Sequence, residues 1–479
     1  MKVLALPMCK YPVGEGANLT LNESPEALSM NLQDKLAQVT STELRSTELP
    51  RQLSLVDAAS LVVGIIIGAG IFLVPSLVAK SLPSAPWIIA VWITGGVLSI
   101  FGALAFAEMG AMMPATGGQY VFVREAFGPL PAFLCGWTFL VVSMTGATAW
   151  MAVSFCRYLG YFVQLPDWGV NVIGSALILV FTWINYRGVV LGAWVQKIFT
   201  SAKLTGIFAL IVAAFFGTHS LTANVAPVRP IRLGDFGVAM IACLLAYDGW
   251  VNMSFVAGEI RDPKRNILRA LVMGVVLVMV VYVSANIAYL SVLSPAEIAQ
   301  SERVGADVAD RAMGHTGGAI IAITILMSMV GCLNGRLLTQ ARVYFAQAQD
   351  GLFFHQFAGI HPVYKTPAFS LWVQAGLSIF LILTGSWNFL IEYAMPAIWT
   401  TYAVSVAGLL VLRRKFPHLE RPYKMWGYPV TPILFVIVAV AFVVNSGIEN
   451  PKPTLTALGL IALGVPAYFI WKKPSSSLL

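Results

Sequence analysis

VVGIIIGAGIF (62–72) and LLAYDGWVNMSF (244–255) decide the fold of this chain. Each is apolar enough to lie in a membrane, yet each carries at its middle what a continuous helix tolerates poorly. Glycine costs a helix interior about 1 kcal/mol relative to alanine. An aspartate near a bilayer centre costs about 2.5–3.5 kcal/mol on insertion scales. Outward from these stretches, apolar runs of roughly the 20 residues a membrane crossing needs fall near 54–79, 87–113, 130–160, 170–185, 193–217 and 236–259. Six more fall near 267–293, 317–345, 367–385, 387–412, 428–447 and 454–471. The two interrupted stretches are thus segments 1 and 6. That offset gives them opposite orientations, as in an inverted repeat of five helices plus five. The expected organisation is a polar tail (1–50), a first repeat (51–217), a second, inverted repeat (235–412) and two outer helices (427–472).

Composition agrees with an all-α polytopic membrane protein. Of 479 residues 58% are hydrophobic and 11% charged, with a mean hydropathy of +0.78, where a soluble protein has about a quarter charged. Only helices and closed barrels satisfy their backbone in lipid, and long unbroken apolar runs select helices. The opening MKVLALPMC (1–9) has too short an apolar run for a signal peptide. Cys9, Cys135, Cys156, Cys243 and Cys332 show neither metal-ligand spacing nor a disulfide framework. The five histidines sit at or near segment ends, so no cofactor or metal site is expected and a membrane enzyme is disfavoured.

Basic residues alternate by side. Arg124, Arg187, Lys197, Arg261, Lys264, Arg265, Arg269, Arg342, Lys365, Arg413, Arg414, Lys415, Arg421, Lys424, Lys472 and Lys473 fall in one set of loops, and far fewer fall in the other. By the positive-inside rule both termini are cytoplasmic, in a cell inner (plasma) membrane. The net charge of +8 is then topogenic, and no nucleic-acid partner is needed to explain it.

For segment 1 two readings stand. Gly64 and Gly68 form a small-xxx-small packing face, or Gly68, Ala69 and Gly70 unwind the helix. An unwound helix exposes free amides with about half a positive charge and free carbonyls with about half a negative one, which together fit a zwitterion. The carboxylate would lie on the amides of Ala69, Gly70 and Ile71, and the ammonium on carbonyls near Ile66 and in segment 6. There, Tyr247, Asp248, Gly249 and Trp250 interrupt the helix. Asp248 either binds substrate or a proton, or caps the second half-helix by accepting backbone amides; in both cases the carbonyls of Leu245 and Asp248 are open to an ammonium group. Lys203, in KIFTSAKLTGIFALIV (197–212), is the lysine no loop accommodates. Either it snorkels to the interface, or its ammonium bonds carbonyls of segment 1 where a cation would otherwise sit, as a fixed charge or a coupling proton site.

GIIIGAGIF (64–72), PATGGQYVFVREAFG (114–128) and AYDGWVNMSFVAGEIRDPKRNI (246–267) resemble the amino acid-polyamine-organocation superfamily. With SAKL (201–204) and ARVYFAQAQDGLFFHQFAGIHPVYKTP (341–367), the chain is most similar to its L-type amino acid transporters, including bacterial members. The resemblance, over about residues 51–440, implies a leucine-transporter-like fold and sodium-independent exchange of neutral amino acids by alternating access. It places substrate contacts at Ile66, Ala69, Gly70, Leu245 and Asp248, with Lys203 replacing a cation. The chain departs from the family in having Ala69 where serine is frequent and Leu245 where an aromatic gate stands. YFVQLPDWG (161–169) lacks the cysteine that links mammalian relatives to a heavy chain, so no disulfide-linked partner is expected. Monomer or homodimer is left open, as are proton coupling, a cationic amino acid or polyamine antiporter, and a sensor that binds without transporting.

Overall fold

In a computed structural model the described residues are 49–217, 230–384 and 387–471. The expected tail lies outside them except at its last two residues. The chain runs through α1 (Leu55–Ile66), α2 (Gly70–Ser81), α3 (Ala85–Met112), α4 (Gln119–Phe127), α5 (Pro129–Thr138), α6 (Met144–Leu159), α7 (Asp167–Tyr186) and α8 (Val189–Gly217). It continues through α9 (Leu233–Ala246), α10 (Asn252–Phe255), α11 (Pro263–Val292), α12 (Pro295–Gln300), α13 (Val304–Gln349), α14 (Ala368–Leu383), α15 (Trp387–Lys415), α16 (Val430–Glu449) and α17 (Pro451–Trp471). No strand occurs among the described residues. Among the described residues nine helices are long and apolar enough to cross a membrane, α1 and α2 pass together as a pair bent by 41°, and α9 and α14 are shorter apolar helices. Each of the twelve apolar segments is occupied by helix.

Local chemistry sets the element ends. α1 starts on a capping box in which the Asp57 amide donates to Ser54 Oγ (3.2 Å) and the Ser54 amide to the Asp57 carboxylate (2.9 Å), relieving two of the amides a helix start leaves unpaired. The segment expected at 317–345 is longer than its apolar run. α13 begins at Val304 and turns at Gly314 (φ 72°) before it spans. Segment 3 is continuous from α5 to α6 through a π-helical turn at Phe139–Ser143, and segment 6 stops at Ala246.

Large apolar side chains such as Phe208, Phe380 and Ile437 point outward. In hydrocarbon that is the solvated arrangement. Inside, small residues bring helices close: a Cβ on Gly64 would collide with Gln196 and Thr200 of α8, and one on Gly335 of α13 would lie 2.5 Å from Ile65. The pairing of Gly64 with Gly68 in one packing face is therefore divided. Gly64 is a packing residue, and Gly68 lies in the break.

Candidate functional site

The first break spans residues 67–69, between α1 and α2. Its carbonyls are met by donors from three other helices. The fully buried Lys203 of α8 donates through Nζ to the carbonyls of Gly64 (2.9 Å), Ile67 (2.6 Å) and Ser328 (2.9 Å), so its side chain turns inward rather than to an interface. Ser328 Oγ lies 2.9 Å from Ile67 O and 3.1 Å from Gly68 O, and Cys332 Sγ donates to Ile65 O (3.1 Å). Tyr282 of α11 sets its hydroxyl between Ile66 O (3.0 Å) and Ala246 O (3.1 Å), tying one break to the other. The amides of Ala69, Gly70 and Ile71 have no acceptor among the described residues; an α-helix start leaves them free.

The second break covers Tyr247–Val251. Gly249 (φ +124°) is needed here, since a Cβ would lie 2.8 Å from the Ile65 side chain and 3.1 Å from its backbone; the second break touches the end of α1 at this point. The capping reading of Asp248 is corrected: its carboxylate binds no amide of α10. Tyr402 of α15 donates to Oδ1 (2.6 Å) and Arg336 Nη2 of α13 to Oδ2 (3.0 Å). α10 starts instead with Asn252 bonding Gly249 O through its amide (3.2 Å) and Nδ2 (3.1 Å), which frees the carboxylate to face the neighbouring helices.

A cavity of about 840 Å³ lies against both breaks. Of the residues singled out in the sequence, Ile66, Gly68, Ala69, Gly70, Leu245 and Asp248 line it, whereas Ile71, Gly249 and Lys203 lie behind its wall. Two of the carbonyls expected to take an ammonium are already engaged. Ile66 O accepts from Tyr282 and from the Gly68 amide (2.8 Å), and Leu245 O accepts from the Asp248 amide (3.4 Å). Asp248 O has no donor among the described residues. Trp150 and Met151 of α6, Cys332 and Arg336 of α13 and Met395 of α15 complete the inner wall. Tyr247 and Trp250 pack elsewhere, Tyr247 against Trp92 and Tyr282, Trp250 against Phe106 and Tyr402.

Sequence reading missed Arg336. It also set Arg342 in a loop and took Lys203 as the only misfit. Both arginines lie within α13, six residues apart, with Arg342 fully buried. Their signal was present: both fall inside the expected segment 317–345, Arg336 directly after ILMSMVGCLNG (325–335), where no loop accommodates a charge.

The cavity opens past Lys80, near the end of α2, and past Gln300, the last residue of α12, with Ser301 and Glu302 after it. In α12, three residues before Gln300, the Ser294 backbone amide and Arg311 (2.8 Å) hold the Glu297 carboxyl down to about 2. The opposite face is shut in layers. Leu53 pairs with Ile260 in a parallel bridge, and Arg342 Nε and Nη2 grip the fully buried Glu259 at 2.8 and 3.2 Å. Glu108 accepts from Arg413 (2.8 and 2.6 Å) and from the Met425 amide (2.6 Å). Within PATGGQYVFVREAFG the Gly117 amide donates to Phe255 O (2.9 Å), Gly118 lies directly on the Ser254 backbone, and Tyr120 donates to Asp350 (2.7 Å). Among the described residues no group of three or more His, Cys, Asp and Glu side chains that could hold a metal ion occurs.

Residues 53–465 match a family model described as amino acid permease. The chain is 32% identical over 440 residues to the mouse (Mus musculus) b(0,+)-type amino acid transporter 1, covering 90% of each chain. It is 31% identical over 438 residues to the serine/threonine exchanger SteT of Bacillus subtilis, covering 90% of this chain and 98% of that one. To the human (Homo sapiens) cystine/glutamate transporter it is 30% identical over 439 residues, covering 89% and 87%.

Proposed function

Since this chain belongs to the amino acid permease family, a family of transporters rather than enzymes, we propose that it is a sodium-independent exchanger of neutral L-amino acids working by alternating access. The substrate's carboxylate lies on the amides of Ala69, Gly70 and Ile71, and its ammonium meets the free carbonyl of Asp248. The observation that carries this reading is Lys203. Its ammonium fills, with three carbonyl ligands, the place at the end of α1 where a coupling cation would otherwise compensate the helix C-terminus. Asp248 supports a neutral substrate, because Arg336 already balances its charge. A cationic amino acid or a polyamine would have to displace that partner.

The reading extends to organisation and place. Residues 51–217 and 235–412 form the two inverted repeats, with 427–472 outside them, and the densely basic closed face is cytoplasmic. The cavity then opens outward from a cell inner membrane, and occupation of the breaks lets the closed face part. Four cysteines are buried and free, in keeping with a chain that has no disulfide-linked heavy chain; Cys9 lies outside the described residues.

Uptake of a labelled amino acid panel into proteoliposomes tests this. Uptake is expected only with unlabelled amino acid inside, and unchanged when sodium is replaced by potassium. Strict sodium dependence would overturn the role of Lys203. Uptake into empty vesicles driven by a pH gradient would make the protein a proton-coupled symporter, and binding without flux would make it a sensor.

A further inference from the structure

At the inner end of the cavity the acid and base of the site are unevenly matched. Asp248 is 5% exposed and takes one bond on each oxygen, from Tyr402 and from Arg336. Arg336 is 7% exposed and lines the same cavity. A guanidinium carries five N–H donors, but of these Nη2 bonds the carboxylate, while Nε is buried with no partner. A buried donor without an acceptor is costly, and the side chain that carries it lines the cavity in which a substrate would lie against the breaks.

We propose that Arg336 selects the substrate's side chain, donating to an uncharged oxygen on it. The site then favours amino acids with a hydroxyl or amide oxygen, such as serine, threonine, asparagine and glutamine, over aliphatic ones of the same shape. This rests on the zwitterion being held at the two breaks. An uncharged oxygen fits better than a carboxylate because Asp248, 3.0 Å from the guanidinium, already neutralises it, and a second carboxylate would be pressed against the first. The same pairing disfavours lysine and arginine as substrates, since Asp248, the carboxylate in the second break, is already matched; the other carboxylates on the lining, Glu302 and Glu392, lie outside the breaks.

Two near-isosteric pairs, threonine against valine and asparagine against leucine, competing with labelled substrate for exchange by the full-length protein in proteoliposomes, test the proposal. The oxygen-bearing member is expected to compete about tenfold better or more, the scale of one hydrogen bond to a charged group. Arg336→Ala should bring each pair within about twofold and admit lysine as a competitor, because Asp248 loses its counter-charge. The double variant Asp248→Asn with Arg336→Met leaves no lone buried charge and no donor at position 336, so it serves where the single one fails to fold. It should lose the threonine preference without gaining lysine. Wild-type protein that exchanges amino acids yet treats threonine and valine alike overturns the selectivity and leaves the exchanger reading standing, as does a preference that survives in the double variant. Protein that exchanges no amino acid overturns the exchanger reading, and the selectivity with it.

Discussion

The break after α1 and the break after α9 meet at one cavity, but the first is held from outside and the second through its own side chain. Around residues 67–69 the chain contributes backbone alone. Lys203, Ser328, Tyr282 and Cys332 come from α8, α11 and α13 to satisfy its carbonyls. At residues 247–251 the chain supplies Asp248, and α13 and α15 answer with Arg336 and Tyr402. A backbone site of the first kind is nearly blind to the substrate's side chain and recognises what all amino acids share. On the proposed reading, selectivity belongs to the second.

This division can be broken at three points. The largest effect is expected from Gly70→Val. A Cβ there would lie 2.8 Å from Ala246 Cα, pushing the two half-helices apart and covering the free amides, so substrate binding should be lost while the protein still elutes as a folded species. Wild-type affinity in that variant would take the substrate out of the first break. Lys203→Met comes next. It leaves buried carbonyls at Gly64 and Ser328 without the ammonium, at about 1–3 kcal/mol for each acceptor that finds no other donor. The melting temperature in detergent should fall by several degrees, with exchange slowed about tenfold; unchanged values would reduce the lysine to filler. Tyr402→Phe should do least. One donor to Asp248 goes and Arg336 stays, so affinity should drop a few-fold with the melting temperature nearly constant. A loss exceeding that of Lys203→Met would reverse the comparison.

The same division governs what could be read from sequence. Gly68 and Gly70 announce the first break because a missing Cβ is a local fact, and the twelve apolar segments follow from length and hydropathy. Lys203 is legible because a cation inside an apolar run has few places to go. The partners of Asp248 were not, since Arg336 and Tyr402 lie 88 and 154 residues away in the chain and only helix packing brings them together. Without Arg336, capping was the cheapest way to satisfy a carboxylate within its own segment. Arg342 was misplaced for a related reason: Glu259 is far off in sequence, and an unpartnered arginine reads as a loop residue.

The grip of Arg342 on Glu259 also bears on how the closed face can part. Both side chains are fully buried, and stranding one of them alone in a dry interior would cost several kcal/mol. Once both are wet, an ion pair is worth about 0–1 kcal/mol, so separating them there costs little. Half-open arrangements, in which one charge is dry and unmatched, are the expensive ones. The face therefore behaves as a switch with two settings rather than a hinge with many. Such a switch passes quickly through the partly opened states in which a continuous pore could leak.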